Sequence, residues 1–96
     1  MTRWFRRDWR ESRSDEYDSW GSATYLFETD DQGRATRQLE TYVGGQRLKY
    51  TLDHPVDEFG MLSDQPLDLE DFAEFEIDEG TFTAAWDAGP AVNSPT

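Results

Sequence analysis

Apolar and polar residues alternate with a period of two through much of the first half of the chain, as in a strand with one face turned to a core. Ala23 to Thr29 reads Ala-Thr-Tyr-Leu-Phe-Glu-Thr, rich in aromatic and β-branched side chains. In Arg34 to Val43 one face carries Ala35, Arg37, Leu39, Thr41 and Val43, and the other Thr36, Gln38, Glu40 and Tyr42. In Gln46 to Leu52 the inward set is Leu48, Tyr50 and Leu52, against Arg47, Lys49 and Thr51. Thr2 to Ser12 alternates more loosely, with Phe5, Arg7 and Trp9 on one face and Trp4, Arg6, Asp8 and Arg10 on the other. The connections are short. Asp30-Asp31-Gln32-Gly33 is a turn in which Gly33 can take positive φ, and Gly44-Gly45 permits a two-residue type I′ hairpin. Consecutive strands joined in this way predict an antiparallel meander, which the first strand joins.

The second half loses the alternation. Pro55 cannot donate to a ladder and closes the sheet, and Val56 to Pro66 reads as an irregular acidic loop anchored by Phe59, Met61 and Leu62. Leu67 to Phe75 holds one short helical turn, capped by Asp68. Asp78 is an N-cap for a helix over Glu79 to Ala88, which places Phe82 and Trp86 on one face before Gly89-Pro90 stops it. Arg13 to Ser22 is a Ser-, Asp- and Gly-rich loop from which Tyr17 and Trp20 can fold back onto the core. The pattern predicts an α+β fold: a four-stranded antiparallel sheet in meander order, with a short C-terminal helix packed on it. Residues 1–88 form the domain, and 89–96 are expected as a flexible tail.

Composition tests whether such a core can exist. Apolar residues are only 35% of the chain and the net charge is −12, a combination that favours disorder. Four Trp, four Tyr and six Phe oppose it, because large rings bury much area per residue. Cysteine is absent and His54 is the sole histidine, which excludes a disulfide framework and a zinc site built from Cys and His. No apolar run approaches the ~20 residues of a membrane span, and no apolar stretch follows the basic N-terminus as a leader would require. A cytoplasmic protein is expected.

Charge is distributed unevenly. Arg3, Arg6, Arg7, Arg10 and Arg13 crowd the first thirteen residues, whereas Asp53 to the C-terminus holds twelve acids and neither Lys nor Arg. The N-terminal Arg-Trp-Phe-Arg-Arg-Asp-Trp-Arg resembles a nucleic-acid surface locally, but an acidic chain repels phosphates and anionic lipids. The arginines are therefore expected to lie against the acids across the fold, with no nucleic-acid or membrane partner. A basic protein is the expected partner. Acids alternate with rings at Glu58-Phe59, Asp71-Phe72 and Glu74-Phe75, a pattern that suits either a solvated face or a docking surface.

Catalytic signals are weak. His54, beside Asp53, Asp57 and Glu58, is the one candidate for acid–base work, and it lacks a partner motif. No Gly-x-Ser-x-Gly elbow is present, and the Asp30-Asp31-Gln32-Gly33 turn lacks calcium-loop spacing. With twenty-one acids, carboxylate pairs arise by chance. No cofactor and no bound metal are expected.

The run Glu28-Thr-Asp30-Asp31, followed by Arg37-Gln-Leu39-Glu40-Thr-Tyr42-Val-Gly-Gly45, resembles the middle of a small acidic bacterial domain family of unknown function. Phe75-Glu76-Ile77-Asp78, Phe82 and Trp86 are similar to its closing motif, and Trp9 with Asp15-Glu16 is loosely similar to its opening. The chain departs from it at Gly44 and in its richer N-terminal arginines. These domains resemble immunity proteins of bacterial toxin systems. The resemblance implies a cytoplasmic protein that is not an enzyme and neutralises a cognate toxin domain, such as a nuclease, by binding it. On this reading the expected contacts are Asp30, Asp31, Asp57, Glu58, Phe59, Asp71 and Glu74. A small carboxylate-dependent hydrolase or metal-binding enzyme, and a self-associating structural module, are the alternatives. Glu28, Arg37 and Glu40 could equally form a buried ion-pair network that fixes strand register.

Overall fold

The computed structural model describes residues 1–93. Four strands follow the alternating runs: β1 (Arg3–Trp9), β2 (Ala23–Thr29), β3 (Ala35–Tyr42) and β4 (Arg47–Thr51). A helical turn, α1 (Leu69–Phe72), a two-residue strand, β5 (Glu76–Ile77), and a helix, α2 (Glu79–Asp87), complete the fold. The sheet is antiparallel with order β4-β3-β2-β1-β5. The meander stands as expected, but the sheet has five strands rather than four. β5 pairs Ile77 with Trp4 and Glu76 with Phe5, a contact too short to leave a periodic trace in the sequence.

Both long hairpins turn the same way. In each, the third loop residue is a glycine at positive φ: Gly33 at 85° and Gly45 at 96°. The Gly33 amide bonds the Asp30 carbonyl at 3.1 Å and the Gly45 amide bonds that of Tyr42 at 2.9 Å. The Gly44-Gly45 connection is therefore a three-residue loop over 43–45 in place of the expected two-residue I′ turn, since Gly44 does not take positive φ. Gly33 has a second constraint: a Cβ there would sit 2.5 Å from the Leu67 carbonyl oxygen, whose own amide bonds the Gly33 carbonyl. The hairpin tip thus holds the start of the acidic C-terminal half.

The sheet buries both faces. On one, Phe82 of α2 is fully buried with Leu26 and Leu39, flanked by Trp4, Ile77 and Trp86. Asp78 caps α2 by accepting from the Thr81 amide at 2.7 Å. Across this face the cross-strand partners Glu28 and Arg37 form a bidentate ion pair at 3.1 and 2.6 Å, and Trp4 and Thr36 also donate to Glu28. The Arg37 guanidinium holds the Glu28 carboxyl below the usual range and lies over the rings of Phe82 and Trp86. The opposite face carries a second core of Tyr42, Leu48, Tyr50 and Leu62, and irregular segments cover it. Leu52, expected inward, is 67% exposed because β4 ends one residue before it.

Residues 89–93 do not form the free tail expected of 89–96. Ala91 is buried, the Val92 amide bonds the Arg47 carbonyl at 2.8 Å, and Asn93 bonds both the Lys49 amide and carbonyl at 2.9 Å. The segment covers the open edge of β4, whose backbone groups would otherwise face solvent. Residues 94–96 lie outside the described residues.

The packing predicts that Phe82→Ala lowers unfolding stability by about 3–5 kcal/mol, whereas Val43→Ala, at an exposed hairpin position, changes it by less than about 0.5 kcal/mol. Urea denaturation of both variants checks the contrast; equal effects would contradict the placement of α2.

Candidate functional site

Register sets out the second sheet face in rows. Arg7 lies opposite Tyr25 and Tyr25 opposite Glu40; Trp9 opposite Ala23 and Ala23 opposite Tyr42; Phe5 opposite Phe27 and Phe27 opposite Gln38. The β4 end of this face is filled by Leu48, Tyr50 and Leu62. The β1–β3 part is left open as a cleft of about 620 Å³, walled by Arg13, Phe59, Met61 and Phe72. Ala23, the smallest residue of its row, leaves room between Trp9 and Tyr42.

Polar groups sit at the floor of this cleft. Gln38 and Glu40 are buried, at 3% and 4% exposure, although both stand on what reads in sequence as the polar side of β3. Tyr42 donates to one Glu40 oxygen at 2.5 Å and Gln38 Nε2 to the other at 2.9 Å. Burial and the neighbouring Glu40 carboxylate push the Tyr42 phenol well above its usual value. Arg13 reaches in from its loop to bond the Tyr42 hydroxyl at 3.3 Å, the Phe59 carbonyl and Asp15. Its guanidinium also faces the rings of Tyr17 and Trp20. Glu28 and Arg37 lie on the opposite face of the sheet, so these two and Glu40 do not form one network.

The expected contact residues divide sharply. Asp57 is an internal hub. Its Oδ1 accepts from the Tyr50 hydroxyl and the Phe59 and Gly60 amides at 2.9, 2.9 and 3.2 Å. Its Oδ2 meets His54 Nε2 at 3.0 Å and Asn93 Nδ2 at 2.8 Å. Both oxygens are committed within the fold, so Asp57 is not a free contact, and His54 is one of its ligands. Phe59 turns inward onto Tyr17 and Trp20 rather than presenting an anchor. Asp30 accepts from the Gln32 and Arg34 amides at 2.9 and 3.0 Å and so shapes its own turn. Asp31, Glu58, Asp71 and Glu74 are exposed.

The N-terminal arginines only partly meet the acids. Arg3 pairs with Glu76 at 2.9 Å across β1 and β5. Arg6 meets Asp8 at 3.9 Å and Arg13 meets Asp15 at 3.0 Å, both local in sequence. Arg7 makes no ion pair among the described residues and lies instead 5.2 Å from the ring centres of both Phe72 and Phe75. The expected neutralisation across the fold therefore rests on one arginine, because aromatic rings occupy Arg7 and share Arg13.

Among the described residues no group of three or more acidic or histidine side chains converges as a metal site, and no helix is long and apolar enough to cross a membrane. In comparisons with known proteins, no family model, curated protein or solved structure matches the chain.

Burial alone would raise the Asp57 carboxyl, but the hydrogen bonds from His54, Asn93, the Phe59 amide and Tyr50 outweigh it and bring it from 3.8 down to about 2. A carboxyl depressed by folding stabilises above its unfolded value and loses that contribution as pH falls through the folded one. The shift is worth about 2 kcal/mol. Asp57→Asn is therefore expected to be less stable than the parent by about 2 kcal/mol at pH 7, with the gap closing between about pH 4 and pH 2. Denaturation series across that range check it; a gap independent of pH would contradict the role of the charge.

Proposed function

We propose that the chain is an immunity-type binding protein that neutralises a basic toxin domain, such as a nuclease, by covering its positive substrate groove. The observation that carries this reading is the orientation of the acidic segment. Glu58, Asp71 and Glu74 point to solvent and make no ion pair among the described residues, while the rings beside them, Phe59, Phe72 and Phe75, pack inward. Glu70, Asp64 and Glu79 are exposed alongside them. The segment thus offers charge on a fixed backbone, so little ordering entropy is lost when a partner docks. Such a surface acts first on encounter, raising the association rate with an oppositely charged protein. The contact set is Asp31, Glu58, Asp71 and Glu74, with Asp57 and Phe59 holding the loop that carries Glu58.

Blocking a groove needs no chemistry from this chain. A basic toxin-type domain, such as one encoded beside this chain, is the partner to test. Its complex with this protein should form faster at low than at high salt. The triple charge reversal Glu58→Lys, Asp71→Lys and Glu74→Lys should slow association about tenfold or more, with a smaller effect on dissociation. Stopped-flow binding reads both. Association rates independent of salt and of the three reversals would overturn the proposal.

A further inference from the structure

The cleft on the second sheet face holds two charges that the fold leaves unmatched. Glu40 is 4% exposed and accepts from the Tyr42 hydroxyl and the Gln38 amide, with the Tyr25 hydroxyl beside it and Arg13 reaching it only through Tyr42. It makes no ion pair among the described residues. A carboxylate removed from water retains acceptor capacity beyond two hydrogen bonds, and leaving it without a counter-charge is costly. Arg7, in the same row and two strands away, lies over the Trp9, Phe72 and Phe75 rings with no carboxylate partner among the described residues. The backbone positions of Arg7 and Glu40 are about 9–10 Å apart, from the spacing of neighbouring strands. Tyr25 lies between them, and its ring centre is 6.0 Å from that of Phe27.

Volume and chemistry agree on what fits. About 620 Å³ falls in the range of small-molecule sites. Aromatic walls favour a flat apolar body, a cation at one side favours an anionic group, and a buried carboxylate favours an ammonium or another strong N–H donor. We propose that the cleft binds a small amphoteric ligand with an aromatic or flat apolar body, its anionic group on Arg7 and its cationic or N–H donor group on Glu40. Arg13 is a poorer anion site than Arg7, because Asp15, the Tyr42 hydroxyl and the Phe59 carbonyl take three of its five N–H donors and Asp15 already pairs with its charge. Neither Arg7 nor Glu40 belongs to the docking surface proposed above, so the two readings fail independently.

The test uses para-(aminomethyl)benzoate as the amphoteric probe, with benzoate and benzylamine as its two halves. Each is titrated into the full, isotopically labelled chain and followed by amide NMR shifts. The expected result is shifts centred on Arg7, Ala23, Tyr25, Gln38 and Glu40, with the amphoteric probe bound at least about tenfold more tightly than either half. Arg7→Gln should weaken the amphoteric probe and benzoate while sparing benzylamine, and Glu40→Gln should weaken the amphoteric probe and benzylamine while sparing benzoate. The NMR spectrum of each variant verifies that it is folded. No shifts up to about 10 mM probe, shifts centred elsewhere, or equal loss for all three probes in a folded variant would overturn the proposal.

Discussion

One carboxylate fastens the acidic loop that carries Phe59 to the sheet. The fold must cover two faces and has one regular helix with which to do so. Phe82 and Trp86 of α2 serve the first face. The second is covered by a segment without strands or long helices, whose backbone amides need partners that secondary structure does not supply. Asp57 supplies two of them, and Gln38, Pro55 and Gly33 supply others. Asp57 accepts from the Phe59 and Gly60 amides within its own loop, from Tyr50 in the sheet, and from His54 and Asn93 on either side. The position of Phe59, and with it one wall of the cleft, follows from these bonds. A negative charge in a segment crowded with negative charges is thereby converted from a source of repulsion into a fastening.

The charge asymmetry of the chain acquires a different meaning in three dimensions. Arginine at the N-terminus and acid at the C-terminus suggest mutual neutralisation. Instead the guanidiniums of Arg7 and Arg13 lie against aromatic surface, where they gain cation–π contact and shield rings from water. Among the described residues only Arg3, through Glu76, joins the basic strand to the acidic half by an ion pair. Most of the remaining acids face outward, which keeps the protein strongly negative at the cost of self-repulsion.

Much of the scaffold was legible in the sequence. Period-two runs located β1 to β4, glycine after a polar turn located the hairpins, and Asp68 and Asp78 marked both helix starts. The face assignments were harder. Alternation separates two faces of a strand without saying which is covered when both are, and on β3 Gln38 and Glu40 prove as buried as Leu39. The role of Asp57 had no local signature: its bond to Asn93 spans 36 residues, and one acid among twenty-one looks like any other. For the same reason the tail read as free, since the partners of Val92 and Asn93 lie on β4. The cleft was invisible because Arg7, Tyr25 and Glu40 meet only through strand register.

The claim that the acidic loop is rigidly fastened has a direct test in amide hydrogen exchange. The Phe59 and Gly60 amides, bonded to Asp57, and the Leu62 amide, bonded to the Pro55 carbonyl at 2.7 Å, should exchange far more slowly than an unfolded loop of the same sequence. Protection of these three approaching that of β3 is the predicted result. Exchange at the rate of an unstructured peptide would show that Asp57 does not hold this loop, and would remove the physical basis for the fixed acidic surface around Glu58.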